Sequence, residues 1–267
     1  MTVALNIVRV FLAIAVTGLA GAPMLCVIYL NYVYGLLAAR RGHPEKLNHV
    51  LAWNAWFAGT VAQRYWARPL LNLCSVRVKA RSTEPVDWSA SHVIGANHAS
   101  IFDILALAAV VPPPFRFVAK RELLKWPIIG WTLRPAGQIV VNRSDHSGSV
   151  GKIQQEASRG IEGQVIFFVE GTRTNTGELL PFKKGAFHFA LAAGLPILPT
   201  AIKGSFGVLA KVPWWRMHPG RDVEVVFGKP IALVPAVDED ARHDEVQRLV
   251  AATREQIAVA MTSSSAS

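Results

Sequence analysis

Two pairs of residue types in this chain could do chemistry. The first lies in Asn97-His98-Ala99-Ser100-Ile101-Phe102-Asp103, after the strand-like Val93-Ile94-Gly95 and at the opening of a helical stretch. A carboxylate about one turn into that helix can reach back to an imidazole Nδ1–H. Asp103 would then fix the tautomer of His98 and stabilise its protonated form, leaving Nε2 as a general base. The plainer reading makes Ser100 an N-cap with Asp103 three positions on, a capping-box-like pair, and His98 a loop residue. Both can hold at once if Asp103 sits at the helix start with its side chain turned to His98. The second pair lies in Glu170-Gly171-Thr172-Arg173, after strand-like residues 165–169. Glycine lets a backbone approach closely, and arginine offers a bidentate fork, so such a loop can hold a phosphate. Glu170 could orient Arg173 or a substrate hydroxyl. The plainer reading is a strand-end turn with a surface arginine.

Two more segments end near these. Residues 137–143 read as a strand delivering Arg143, and Leu195-Pro196-Ile197-Leu198-Pro199 as an apolar strand bracketed by prolines. For the latter, a strand-initial proline and an edge proline are the plain explanation.

The elements that must position these groups alternate. Residues 93–95, 117–119, 138–141, 165–169 and 197–202 read as strands, several of them apolar throughout, as strands covered on both faces are. Residues 104–110, 151–161 and 185–193 read as helices between them. Alternation of this kind predicts an α/β fold, a mixed central sheet flanked by helices. Residues 223–227 suit an edge strand, and residues 240–261 an amphipathic terminal helix. Residues 262–267 form a small polar tail.

The N-terminus is of another kind. Residues 10–39 carry no charge, with Arg9 before them and Arg40 and Arg41 after. That exceeds the ~20 residues of one spanning helix. Gly18, Gly21 and Pro23 interrupt it. One long tilted helix and a hairpin of two shorter helices in one leaflet are both possible, and positive charge at both ends favours the hairpin. A cleaved secretory signal ending near Ala20-Gly21-Ala22 is disfavoured because the apolar run continues past it. From residue 45 to 66 a helical pattern places Val50, Trp53, Phe57 and Val61 on one face, directed either at a core or, with Trp56, Tyr65 and Trp66, at a membrane interface. The expected division is membrane-binding helices over 1–68, an α/β domain over 69–261 and the tail over 262–267.

Composition narrows the class. Over 267 residues the chain is 51% hydrophobic with a net charge of +10, which excludes a disordered chain. Two cysteines, Cys26 and Cys74, exclude a disulfide scaffold. No Cys/His cluster has zinc spacing, so no metal site is expected. A mean hydropathy of +0.29 with pI near 10 suggests a membrane-associated protein with acidic partners. The basic residues are dispersed and no nucleic-acid motif appears, so nucleic acid is not an expected partner.

In order, His-x4-Asp, then Gly137-x-Ile139-x3-Arg143, then Glu170-Gly171-Thr172-Arg173, then the proline-bracketed strand resemble the glycerolipid acyltransferase family, most closely its bacterial 1-acylglycerol-3-phosphate acyltransferases. Lys120-Arg121-Glu122-Leu123 with Pro127 and Gly130, and residues 180–187, support it. The resemblance covers about residues 91–205. Val169 departs from it, since the family often has proline there. The resemblance implies a membrane-bound enzyme moving a fatty acyl group from an acyl-CoA or acyl carrier protein thioester to the free hydroxyl of a lysophospholipid. It implies His98 as base, Asp103 as its partner, Arg173 and Arg143 with Lys120 on the acceptor phosphate, and Glu170, Gly171 and Thr172 around it. It implies no metal or redox cofactor, and a location at the cytoplasmic face of the inner membrane, where acyl donors are. A lyso-ornithine-lipid acyltransferase, a lysophospholipid transacylase or a non-catalytic lipid carrier are the competing readings.

Overall fold

A computed structural model describes residues 3–125, 130, 133–141, 162–212, 216–235 and 238–263. The expected helix at 151–161, Pro127 and Arg143 lie outside the described residues.

Seven strands form one mixed sheet: β1 (Arg77–Ser82), β2 (Val93–Ala96), β3 (Phe115–Lys120), β4 (Ile139–Val141), β5 (Gln164–Phe168), β6 (Ile197–Lys203) and β7 (Asp222–Phe227). Their order across the sheet is β1-β7-β6-β2-β5-β3-β4. Neighbours are parallel except β6 and β7. Strand β2 is therefore central, with β5 and β6 on either side, and Ala96 stands level with both Phe168 and Thr200. Loops leaving β2 and β5 must meet at one edge, where parallel sheets usually hold their ligands.

The central strands are buried along almost their whole length. One face packs Ile94, Ile166 and Leu198 against α3 (Arg68–Leu73) and α4 (Phe102–Val110). The other packs Val93, Val165 and Ile197 against α5 (Gly185–Ala193) and α7 (Glu239–Thr262). Helix α5 stops at Gly194, whose φ of 65° suits glycine, with Leu195 N–H donating back to Ala190 O. Helix α7 starts at Asp238, whose side chain accepts from Ala241 N–H at 2.7 Å. A short helix, α6 (Ser205–Val208), follows β6.

Three expectations change. Residues 222–227 are not at the edge, because β1 lies outside them. That strand has no apolar run to betray it: its sequence, Arg-Val-Lys-Ala-Arg-Ser, is the charged kind that protects sheet edges. Ion pairs Arg77–Asp222 and Arg81–Glu224, both at 2.7 Å, tie it to β7. Pro199 is likewise not on an edge strand. Its missing N–H falls where the β6–β7 ladder is interrupted: Ile197 pairs with Ile231, Gly228 N–H donates to Pro199 O, and regular pairing resumes at Thr200.

The third change concerns the N-terminus. Instead of a hairpin breaking near Pro23, one helix, α1 (Val3–Arg40), runs through that proline. The chain turns back later, at Gly42, whose φ is 91°. His43 N–H donates to Ala38 O, closing the helix end, and Pro44 starts α2 (Pro44–Val61). Reversal uses a residue in the left-handed region, and Gly42 is the first among the described residues to adopt it, the earlier glycines of α1 staying helical. Helix α2 packs along the second half of α1 through small and polar groups together with Ile28, Leu47 and Val50. A Cβ on Gly35 would lie 3.2 Å from Val50 Cβ. Buried Asn54 accepts from Asn31 and donates to Ile28 O and Pro135 O. The packing face of α2 is thus Val50, Asn54, Ala55 and Ala58, while Trp53 and Trp56 remain exposed. A wide π-type turn, Ala62–Ala67, leads into α3, with Tyr65 exposed and Trp66 against the core.

Candidate active site

Helix α4 begins directly above the end of β2, and the turn between them carries His98. Its Nδ1 lies 2.9 Å from Asp103 Oδ2. The same oxygen accepts Ala99 N–H at 2.7 Å and Ser100 N–H at 2.8 Å. Ser100 Oγ accepts from Phe102 N–H and donates to Leu209 O at 2.7 Å. Asp103, in the first turn of α4, therefore fastens the turn before the helix and holds the imidazole at once, so the capping-box-like pair with Ser100 and the contact with His98 are both present. With three donors on a fully buried carboxylate, Nδ1 is assigned as the protonated nitrogen and Nε2 as the free base. The ring stacks on Phe168, centroids 3.9 Å apart, and 14% of the His98 side chain is exposed. The imidazole is thus clamped at Nδ1 and on one face, and partly open.

Glu170 braces this turn from the loop that follows β5. One oxygen accepts His98 N–H at 2.8 Å and the other Leu180 N–H at 3.0 Å. Burial holds its carboxyl above the ordinary range, against the pull of those two donors. Thr174 N–H donates to His98 O, locking the loop to the turn a second time. Gly171 has φ of 74°, which is why the loop reverses there on glycine. Thr172 is exposed and Arg173 half-buried, with Lys211 Nζ 3.5 Å from Arg173 O. Asn97, just before His98, bonds Ile202 N–H and O on β6 like a short extra strand.

Among the sequence-predicted residues, the structure brings together His98, Asp103, Glu170, Gly171, Thr172 and Arg173. Lys120 ends β3 on the same edge, two strands from His98, level with Val141 of β4. Arg143 lies outside the described residues. Three contributors escaped sequence reasoning: Phe168, Thr174 and the Leu209 carbonyl. Phe168 had a faint signal, an aromatic two residues before Glu170 on a central strand. The other two act through position alone. The N–H groups of His98, Ala99 and Ser100 are all engaged, so an oxyanion would have to find its donors elsewhere.

A family model described as Acyltransferase matches residues 77–203. A 1-acyl-sn-glycerol-3-phosphate acyltransferase of Salmonella typhimurium is 30% identical over 190 residues, which take in 69% of this chain and 73% of that protein. The chain belongs to the glycerolipid acyltransferase family. The protein of the same name from Escherichia coli is 28% identical over 188 residues, with the same coverage of each chain. One from Chlamydomonas reinhardtii is 34% identical over 159 residues, 59% of this chain. The chain spans about half the length of that relative, 47%. The fold of this acyltransferase matches the crystal structure of the 1-acyl-sn-glycerophosphate (LPA) acyltransferase, PlsC, from Thermotoga maritima. The TM-score is 0.62 at 20% identity, covering 98% of this chain and all of that one.

Proposed function

We propose that this acyltransferase moves a fatty acyl group from acyl-CoA or acyl carrier protein to the sn-2 hydroxyl of lysophosphatidic acid, giving phosphatidic acid. The observation that carries this reading is the His98 imidazole, held at Nδ1 by Asp103 with Nε2 free, at the ligand-binding edge of a glycerolipid acyltransferase sheet. An alcohol is a poor nucleophile near neutral pH, so a base must take its proton as it attacks. His98 Nε2 accepts that proton, and the hydroxyl oxygen adds to the thioester carbonyl carbon. The tetrahedral intermediate collapses, the C–S bond breaks, and the thiolate takes the proton from the imidazolium. Asp103 stays ionised throughout and stabilises the charged ring. Neither cysteine serves as nucleophile: Cys74 is buried and Cys26 lies on α1. Arg173, with Arg143 and Lys120, holds the acceptor phosphate. As written, the step draws on no metal or redox cofactor.

The chain works at the cytoplasmic face of the inner membrane. Exposed Trp53, Trp56 and Tyr65 with exposed Leu30, Val33, Tyr34 and Leu37 support the membrane part of this reading, since α1 and α2 turn many of their large apolar side chains outward while Ile28 and Val50 pack inside. Residues 23–40 form a helical stretch apolar and long enough to cross a bilayer, and most of it is not buried in the protein. Interfacial helices carry such outward apolar faces. The test is product formation by the purified full chain from acyl-CoA and a panel of lysolipids. Phosphatidic acid from lysophosphatidic acid is expected. Preference for lyso-ornithine lipid would replace the acceptor, and binding without turnover would make the chain a carrier.

A further inference from the structure

The segment from Ser205 to Lys211 borders two places. It reaches the His98 site through Leu209 O, which accepts from Ser100, and through Lys211, which meets Arg173 O. It also borders a cavity of about 260 Å³ lined by Phe206, Gly207, Ala210, Arg216, His218 and Arg221. This cavity opens at the same edge of the sheet as His98, since β6 ends where β7 begins. The Arg221 guanidinium lies over Gly207, where a Cβ would come within 3.1 Å of Nη1. No acidic side chain lines the cavity, and neither arginine has an ion pair among the described residues. Two guanidiniums beside an imidazole and a phenyl ring make a site for phosphate joined to a flat ring.

The size and place of the cavity narrow the ligand. It is smaller than the ~300–1,000 Å³ of clefts that take a whole ligand, so it suits one end of a longer molecule. None of its six lining residues hydrogen-bonds to His98 or Asp103 among the described residues. The acceptor of the proposed reaction carries its phosphate on the carbon next to the attacked hydroxyl, and must keep that phosphate beside His98. A thioester donor carries its phosphates at the far end of a pantetheine arm. Resting on the acyl-transfer reading above, we propose that the cavity binds the phosphate-bearing end of the thioester donor, the nucleotide of CoA.

The full chain in detergent is titrated with CoA, and the double variant Arg216→Gln, Arg221→Gln is compared with wild type. Both side chains are exposed, so folding is preserved. CoA affinity should fall about 10-fold or more, the effect of losing charge-assisted hydrogen bonds. The KM for acyl-CoA should rise in step, while that for lysophosphatidic acid moves less than about twofold. In wild type, 3′-dephospho-CoA should bind more weakly than CoA. An acyl carrier protein thioester, with a single phosphate on its arm, should respond less to the double variant. Equal CoA affinity in the two proteins would overturn the proposal. So would a selective rise in the lysophosphatidic acid KM, or lost binding to phosphatidylglycerol vesicles with CoA affinity kept, which would give the cavity to a lipid headgroup. If wild type binds CoA in this arginine-dependent way yet leaves lysophosphatidic acid unacylated, the acceptor assignment fails and the donor site stands.

Discussion

The sheet edge around His98 and the N-terminal helical pair break the usual burial pattern in opposite senses. At the sheet edge, charged groups are inside: Asp103 is fully buried and Glu170 nearly so, and each is held by backbone N–H donors. On α1 and α2, many large apolar groups are outside, and the contact between the helices mixes Ile28 and Val50 with alanine, glycine and asparagine. A buried carboxylate costs stability unless it is hydrogen-bonded, and an exposed aromatic face gains nothing in water. On the function proposed above, each departure from the rule marks where another molecule would come: a reacting hydroxyl in one case, a lipid surface in the other.

The sharpest way to break this contrast is at His98. His98→Ala should lower acyl transfer by ~10²–10⁴-fold, the range for loss of a general base. Its thermal unfolding should stay near that of wild type, because the Asp103 bonds to Ala99 and Ser100 remain. More than half of the activity surviving would remove His98 from the chemistry.

Next comes Arg173. Arg173→Ala should raise the KM for lysophosphatidic acid by about 10-fold or more, as expected for a lost charged hydrogen bond. Arg173→Lys should recover little, since an ammonium lacks the planar fork. An equal loss with a phosphate-free acceptor would make the residue a support for its loop.

The helical side of the contrast is tested at its tryptophans. Burying such a side chain is worth ~1.5–3 kcal/mol, so Trp53→Ser with Trp56→Ser should weaken binding to phospholipid vesicles by about 10-fold or more. A sedimentation assay reads this. Unfolding temperature in detergent-free buffer should fall little, because both rings are exposed and Trp53 stacks only on Phe57 of its own helix. A clear fall would mean that the face packs on protein.

The smallest effect distinguishes Glu170 as a brace. Its folded carboxyl titrates above the ordinary 4.5 because it is buried. The folded chain thus holds this proton more tightly than the unfolded chain does. That contribution is complete below pH about 4.5 and is lost as pH rises through the higher folded value. Glu170→Gln cannot titrate. The stability of wild type relative to this variant should therefore decline as pH rises from about 4.5 towards neutrality, by denaturant unfolding at several pH values. A flat difference would remove the shift.

Much of this protein could be read from its sequence. His98 and Asp103 lie only five residues apart, so local chain geometry already lets them meet, and the motif is legible without a fold. The buried strands are legible for a related reason: a strand covered on both faces is nearly continuous in apolar residues, as residues 93–96 and, apart from Thr200, residues 197–202 are. What the tertiary structure alone decided involves partners far apart in the chain. Glu170 reads as a candidate for the substrate. Only the parallel register of β2 and β5, fixed by two sheet faces packing at once, sets it beneath the His98 amide. β1 was invisible because an edge strand is held by its neighbour and needs no apolar pattern. The break in the N-terminal run was misplaced at Pro23, because where a helix can reverse depends on a left-handed residue with something to fold back upon. Gly42 and the small face of α2 supply both, and neither is a property of the apolar run itself.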